Sequence, residues 1–138
     1  MLVTARADYA CLAMLELAAR FGDPKPARLA DIADKHGIPQ RFLVQILLQM
    51  KVAGLVNTTR GAAGGYNLAK RPDAITLADI FGVLDRMEEP EERSTALSPL
   101  ARSLQQVWKG LVATREEYLG RFRLSELLQM PQSDEYVI

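Results

Sequence analysis

Residues 53–80 read AGLVNTTRGAAGGYNLAKRPDAITLADI. Two short extended runs, Leu55 to Thr59 and Tyr66 to Ala69, flank a loop built on RGAAGG. Gly61, Gly64 and Gly65 put three glycines into five positions. That is too much backbone freedom for a packed core, and the stretch is too short for a linker. The pattern predicts a β-hairpin whose loop exceeds the two-residue minimum.

Upstream, residues 5–21 are rich in Ala and Leu with no Pro or Gly, which predicts a largely buried helix. Gly22-Asp23-Pro24 ends it. Residues 28–36, RLADIADKH, read as a short helix with Leu29, Ile32 and Ala33 inward, stopped by Gly37 in a left-handed conformation. A second helix follows over 40–53, with Pro39 in its first turn. Leu43, Ile46, Leu47 and Met50 form its buried stripe, with Arg41, Gln45 and Leu48 opposite and Val44 and Gln49 on the flanks. Two short helices about a glycine turn make a helix-turn-helix, and a hairpin directly after it makes a winged helix. On that reading the glycines let the wing tip lie close along a phosphate backbone. Arg60 at the tip's entry suits a narrow, electronegative minor groove, and Lys70 and Arg71 suit phosphates.

Downstream, residues 76–87 form another helix, capped by Thr76, with Asp79 near its positive end. A charged loop, EEPEER, leads to the longest helical stretch, residues 96–122. Leu97, Leu104, Leu111 and Tyr118 recur every seven residues there, with Leu100 and Val107 between them. This is a coiled-coil-like seam, and it predicts pairing between two copies of the chain. The remainder holds one short helix, LSELLQM, before a fraying end.

Bulk properties agree. The chain has 138 residues, about one domain, and 49% hydrophobic residues supply a core. No apolar run approaches a membrane span, and no basic cluster precedes a cleavage site, so no membrane partner and a cytoplasmic location are expected. One cysteine excludes an internal disulfide and every CxxC-type metal site. The formal net charge is zero, yet residues 1–72 carry 10 Lys/Arg against 5 Asp/Glu, while residues 73–138 carry 7 against 12. A half at +5 suits a polyanion. Gly61 to Gly65 is not a catalytic phosphate loop, because no Gly-Lys-Ser/Thr follows. With a single His36 and no obvious nucleophile partner, an enzyme is not expected.

The segments YACLAMLELA, LADIADKHGIPQRFLVQIL and AGLVNTTRGAAGGYNLAKRPDAITLADI together resemble the Rrf2 family of bacterial transcription regulators. The resemblance covers residues 2–87, and the long helix after residue 95 matches the family's dimerisation helix in position. It implies a mainly α fold: a winged helix-turn-helix domain with a β-hairpin wing, plus a long dimerisation helix. The expected organisation is a DNA-binding domain over 1–87, an acidic connecting loop over 88–95, the dimerisation helix over 96–122, and a tail over 123–138 with a short helix. It also implies a homodimer that binds palindromic operators in double-stranded DNA as a repressor, with helix 40–53 in the major groove and the wing in the minor groove.

The expected DNA-reading residues are Gln40, Arg41, Phe42, Val44 and Gln45, joined by Arg60, Gly61, Gly64, Gly65 and Tyr66 of the wing. Gln45 suits adenine, Arg41 guanine or phosphate, and Val44 a thymine methyl. Phe42 stands where the family often has tyrosine, so a hydroxyl contact is lost. Thr4, Arg6 and Tyr9 are further phosphate candidates. The expected dimer seam is Leu97, Leu100, Leu104, Val107, Leu111 and Tyr118. Family members often hold an iron–sulfur cluster on three cysteines in the loop before the dimerisation helix. Here that loop, MEEPEERSTALSP, has none, so no cofactor is expected. Asp8, Cys11 and His36 lie where some members take a further ligand, but one thiolate is far short of a cluster set. Cys11 reads better as a small buried hydrophobe and His36 as a helix-terminal residue favoured by the dipole. Two alternatives stay open: a winged-helix protein acting mainly through a partner protein, and a sensor holding a cluster on non-cysteine ligands. A small-molecule effector is a third kind of partner the residues do not specify.

Overall fold

Thr4 starts the first helix. Its side-chain oxygen accepts from the Ala7 amide at 3.1 Å, satisfying one of the donors a helix N-terminus leaves open. A computed structural model describes residues 3–87 and 98–131. In it α1 spans Ala5–Ala19, α2 Leu29–His36 and α3 Gln40–Val52. Strands β1, Val56–Thr59, and β2, Gly65–Leu68, form an antiparallel pair in the register Val56↔Leu68 to Thr59↔Gly65. A short 3-10 turn, Pro72–Ala74, leads to α4, Leu77–Met87; α5, Pro99–Leu119, and α6, Leu124–Leu128, complete the order. This is the mainly helical, winged architecture the sequence predicts.

α1 sits at the centre. Ala7, Ala10, Ala13, Met14, Leu17 and Ala18 are all buried, and α2, α3, α4, α6 and β2 pack around them. Small side chains allow that crowding. Leu43, Ile46, Leu47 and Met50 of α3 are fully buried, as their spacing predicts. Gly37 takes the left-handed conformation, φ 65°, between α2 and α3. Pro39 lies one place earlier than expected, at the N-cap of α3 rather than inside its first turn. Thr76 and Asp79 form a reciprocal box at the start of α4: the Asp79 amide donates to the Thr76 hydroxyl at 3.2 Å, and the Thr76 amide to the Asp79 carboxylate at 2.9 Å.

α5 begins at Pro99 with Ser98 as its cap, later than the expected residue 96; Leu97 and the acidic loop 88–95 lie outside the described residues. Its far end returns the chain to the core. Leu77 N–H donates to the Phe122 carbonyl, and Leu124 N–H to the Ile75 carbonyl, each at 2.9 Å. Leu124 is fully buried, so α6, the short helix expected in LSELLQM, packs into the core; the end expected to fray, beyond residue 131, lies outside the described residues.

Among the described residues, one charged side chain is buried. Glu16 of α1 is 5% exposed. Its Oε2 accepts from Arg20 Nε at 2.7 Å; its Oε1 lies 2.8 Å from His36 Nε2 and 3.0 Å from Lys35 Nζ, both in the last turn of α2. Burial alone would raise the carboxyl, but bonds from Arg20, His36 and Lys35 outweigh it and hold it at about 2, below its ordinary 4.5. The cluster pins the end of α2 to α1, immediately before the turn that aims α3. A depressed carboxyl stabilises the fold fully above its unfolded value and loses that contribution as protons bind. Glu16→Gln is therefore expected to cost roughly 1–2 kcal/mol at neutral pH, a modest figure because Arg20 and Lys35 reach water. In denaturant titrations the gap between the two proteins should close as pH falls from 4.5 towards 2. A gap that stays constant over that range would remove the cluster from the stability of the fold.

Candidate nucleic-acid interface

α3 turns one face inward and leaves Gln40, Arg41, Phe42, Val44, Gln45 and Leu48 exposed. Its first turn holds no acidic side chain, so the positive end of the helix is not neutralised. Phe42 has a structural reason to be aromatic: its ring stacks on Tyr9 of α1, centroids 6.5 Å apart. The Arg41 guanidinium lies 4.9 Å over the same ring. The aromatic pair thus supports Arg41 by a cation–π contact, at an exposed site where it is worth about 0.5–1 kcal/mol. Gln49, on the flank, is half-buried, and its side-chain oxygen is buried without a partner among the described residues.

The hairpin stands beside α3 because β1 follows it after one turn. Gly54 makes that turn with φ 81°, and the Leu55 amide donates to the Met50 carbonyl at 2.9 Å. Arg60 is exposed where the ladder ends. Its neighbour Gly61 has φ 105°, a conformation that favours glycine.

The other two glycines have a reason different from the one expected. A Cβ on Gly64 would stand 2.1 Å from the Thr59 carbonyl oxygen, and one on Gly65 would stand 2.3 Å from the Ala27 carbonyl oxygen. The close approach they permit is within the protein itself. Ala27, just before α2, bonds both ways with Tyr66: its amide donates at 2.9 Å and its carbonyl accepts at 2.8 Å. A single residue thereby acts as a third strand alongside the wing. Tyr66 is half-buried in this arrangement. Arg28, the next residue, reaches across to the wing tip, where its Nη2 donates to the Ala62 carbonyl. Neither Ala27 nor Arg28 was signalled by the hydrophobic pattern. The one available sign was an arginine where a helix usually begins with Ser, Thr, Asp or Asn.

Of the supplementary phosphate candidates, the Thr4 oxygen serves as the α1 cap and Tyr9 is half-buried against Phe42. Lys70 and Arg71 are exposed, and Arg71 pairs with Asp73 at 3.1 Å.

The long helix presents a second surface. Arg115 bonds the Asp85 carboxylate and lies 5.6 Å over the Phe81 ring, joining α5 to the far end of α4. Gly120 lies near Ala78 at the other end, so the two helices run antiparallel. Residues 99–112 therefore extend past α4. Leu100, Leu104, Val107, Trp108, Leu111 and Val112 are all exposed there, Leu100 at 82% and Trp108 at 53%. Trp108 and Val112 widen the face beyond the seven-residue repeat. Tyr118, further along the helix, is as exposed as Leu111, and it meets Phe122 edge-on, centroids 5.1 Å apart.

The residues do not fit an iron–sulfur cluster. The sequence has one cysteine, and among the described residues no three His, Cys, Asp or Glu side chains converge on a metal position. His36 is committed to Glu16. Burial, with the Asp8 charge nearby, pushes the Cys11 thiol up to about 12, away from the thiolate a metal binds. Asp8 is exposed.

A family model described as "Rrf2: Iron-dependent Transcriptional regulator" matches residues 3–130. The HTH-type transcriptional regulator CymR of Bacillus subtilis is 32% identical over 135 residues, covering 98% of this chain and 95% of its own. A putative HTH-type regulator of Synechocystis is 39% identical over 90 residues; the match covers 65% of this chain but 60% of that protein's length. Among solved structures, CymR of B. subtilis superposes with a TM-score of 0.72 at 32% identity, over 94% of this chain and 98% of that one. "T. potens IscR" gives the same score and identity over 95% and 93%. These relatives are transcriptional regulators, not enzymes. No helix among the described residues is long and apolar enough to cross a membrane.

The contact at Gly65 can be tested directly. Gly65→Ala should destabilise the protein by roughly 2–3 kcal/mol, the cost of forcing an atom into a filled space. It should also speed hydrogen exchange at the Tyr66 amide, whose bond to Ala27 it displaces. Unchanged melting and unchanged Tyr66 protection would mean the wing is not held at Ala27.

Proposed function

The chain belongs to the Rrf2 family of transcription regulators, and we propose that it is a homodimeric, sequence-specific DNA-binding repressor of bacterial cytoplasm. The observation that carries the proposal is the adjacency of an exposed helix face bearing Gln40, Arg41 and Gln45 and an exposed arginine-bearing wing on one winged-helix domain. α3 enters the major groove, where Gln45 pairs with adenine, Arg41 with guanine or a phosphate, and Val44 with a thymine methyl; Gln40 stands at the helix start, and Phe42 supports Arg41. Arg60 enters the minor groove beside Gly61, while Gly64, Gly65 and Tyr66 hold the returning strand of the wing close to the protein so that the tip can approach the backbone of the DNA.

The dimer is supported by the uncovered apolar face of α5. Six large apolar side chains along residues 99–112 would be an aggregation hazard on a monomer. Pairing two such helices covers Leu100, Leu104, Val107, Trp108 and Leu111 and presents two reading heads to a two-fold symmetric site. Leu97 continues the seam by sequence. The domain division follows: reading head to residue 87, acidic loop over 88–95, dimer helix over 96–122, with α6 of the 123–138 segment packed back on the head.

Selection of binding sites from random duplexes, followed by titration against salt, tests the reading. A preferred palindrome and an affinity that falls steeply with salt are expected. No preferred sequence would favour the alternative of a winged-helix protein working mainly through another protein. Arg60→Ala should weaken operator binding by roughly tenfold, about 1–2 kcal/mol, while leaving the dimer intact; unchanged affinity at physiological salt would remove the wing from the mechanism. Leu104→Glu with Leu111→Glu should give monomers by sedimentation and abolish tight operator binding. A double variant that stays dimeric would place the seam elsewhere.

A further inference from the structure

α2 begins on a residue type that caps helices poorly. Thr4, Thr76 and Ser98 cap α1, α4 and α5 with side-chain oxygens. At α2 the N-cap is Arg28, in extended backbone at φ −81° and ψ 143°, and its side chain makes no capping bond. Ser, Thr, Asp and Asn hold this position best, so arginine here forgoes stabilisation. Its guanidinium is used elsewhere, on the Ala62 carbonyl 34 residues along the chain.

The position of that carbonyl matters. The strand ladder ends at Thr59↔Gly65, so residues 60–64 form a tip without ladder pairing. Gly61 and Gly64 make the tip's backbone permissive, and the Gly64 amide donates to the Gly61 carbonyl at 2.9 Å. Ala62 lies outside the ladder, two residues beyond Arg60. Ala27 holds the base of the wing through Tyr66, and Arg28 holds its tip. Two consecutive residues before α2 thus fix the hairpin at two heights. A tip anchored only at its base would swing and carry Arg60 with it.

We propose that Arg28 is a positioning residue for Arg60: it fixes the wing tip to the helix-turn-helix at the expense of the α2 cap, so that Arg60 meets DNA already oriented. The proposal rests on the reading that the wing contacts DNA. Pre-ordering a loop lowers the entropy lost on binding, so the effect appears as affinity without any contact of Arg28 with DNA.

The decisive variant is Arg28→Ser, which removes the tether but supplies a capping hydroxyl, so the fold is kept or slightly stabilised. Nuclear magnetic relaxation of backbone amides in the free protein should show residues 61–63 more mobile than in the parent. Operator affinity should fall roughly fivefold, the size of the net contribution of one ordinary hydrogen bond, since Arg28 is exposed to water. That loss should largely vanish when Arg60 is already alanine, because a positioning residue has nothing left to position. Unchanged tip mobility overturns the tether. A normal Arg60→Ala effect with an additive Arg28→Ser loss overturns the positioning role and makes Arg28 a direct phosphate contact. An Arg60→Ala variant that binds normally overturns both the positioning role and the wing reading, while the relaxation data still decide the tether.

Discussion

Ala10 and Ala13, both fully inaccessible, are the constraint on which the rest of the fold depends. A helix that must accept neighbours from several directions cannot carry large side chains on every face. α1 meets α2, α3, α4, α6 and β2 along one 15-residue cylinder. Alanine solves the geometry, and Met14 and Leu17 supply apolar bulk where space remains. The stripe of α3 then rests on this hub through Leu43, Ile46, Leu47 and Met50, so its opposite face is fixed towards solvent. The orientation of the surface that would read bases is decided by packing on the far side of the same helix. Glu16 adds a directional element, since a buried carboxylate with partners on two helices tolerates little sliding between them.

Much of this was legible in the sequence because the signals are local. Periodicity placed α3 and its buried stripe, Gly37 marked the turn, and Thr76 marked the start of α4. The wing was legible from three glycines between two short runs. Less legible were features that need two distant residues to meet. Nothing in RLADIADKH or MLELAARF announces that Glu16 faces His36, or that Arg28 reaches Ala62. The purpose of Gly64 and Gly65 was missed for the same reason: glycine spacing shows that space is tight but not what fills it. Here it is the protein's own carbonyls, at Thr59 and Ala27. The seven-residue repeat in the long helix found Leu104 and Leu111 but passed over Trp108 and Val112, because an unpartnered straight helix follows a 3.6-residue period and presents a broader face.

The wing and the dimer helix pose opposite problems of order. The wing must be held still although glycine makes it permissive, and the protein recruits backbone from before α2 to do so. The dimer helix is stiff by itself, but residues 99–112 extend past α4 with their apolar side chains uncovered. Arg115, bonded to Asp85 and set over Phe81, is the charged link between that helix and the domain that carries α3. The backbone bonds that join residues 75–77 to 122–124, and the approach of Gly120 to Ala78, tie the other end of that helix to the same domain.

The family's name speaks of iron, and this chain keeps the architecture without the donors. The two are separable on physical grounds. Winged-helix packing depends on apolar side chains and on backbone bonds around α1, none of which a cluster supplies. His36 illustrates the separation: its ring is engaged by Glu16 and serves the junction between α1 and α2. Its Nε2 is taken up by Glu16, so that nitrogen is not offered to a metal, and the same Glu16 oxygen is also met by Lys35 Nζ at 3.0 Å. Losing the His36 bond would weaken the pairing of a buried carboxylate that Arg20 and Lys35 continue to satisfy. The junction between α1 and α2 is therefore held by the protein's own side chains.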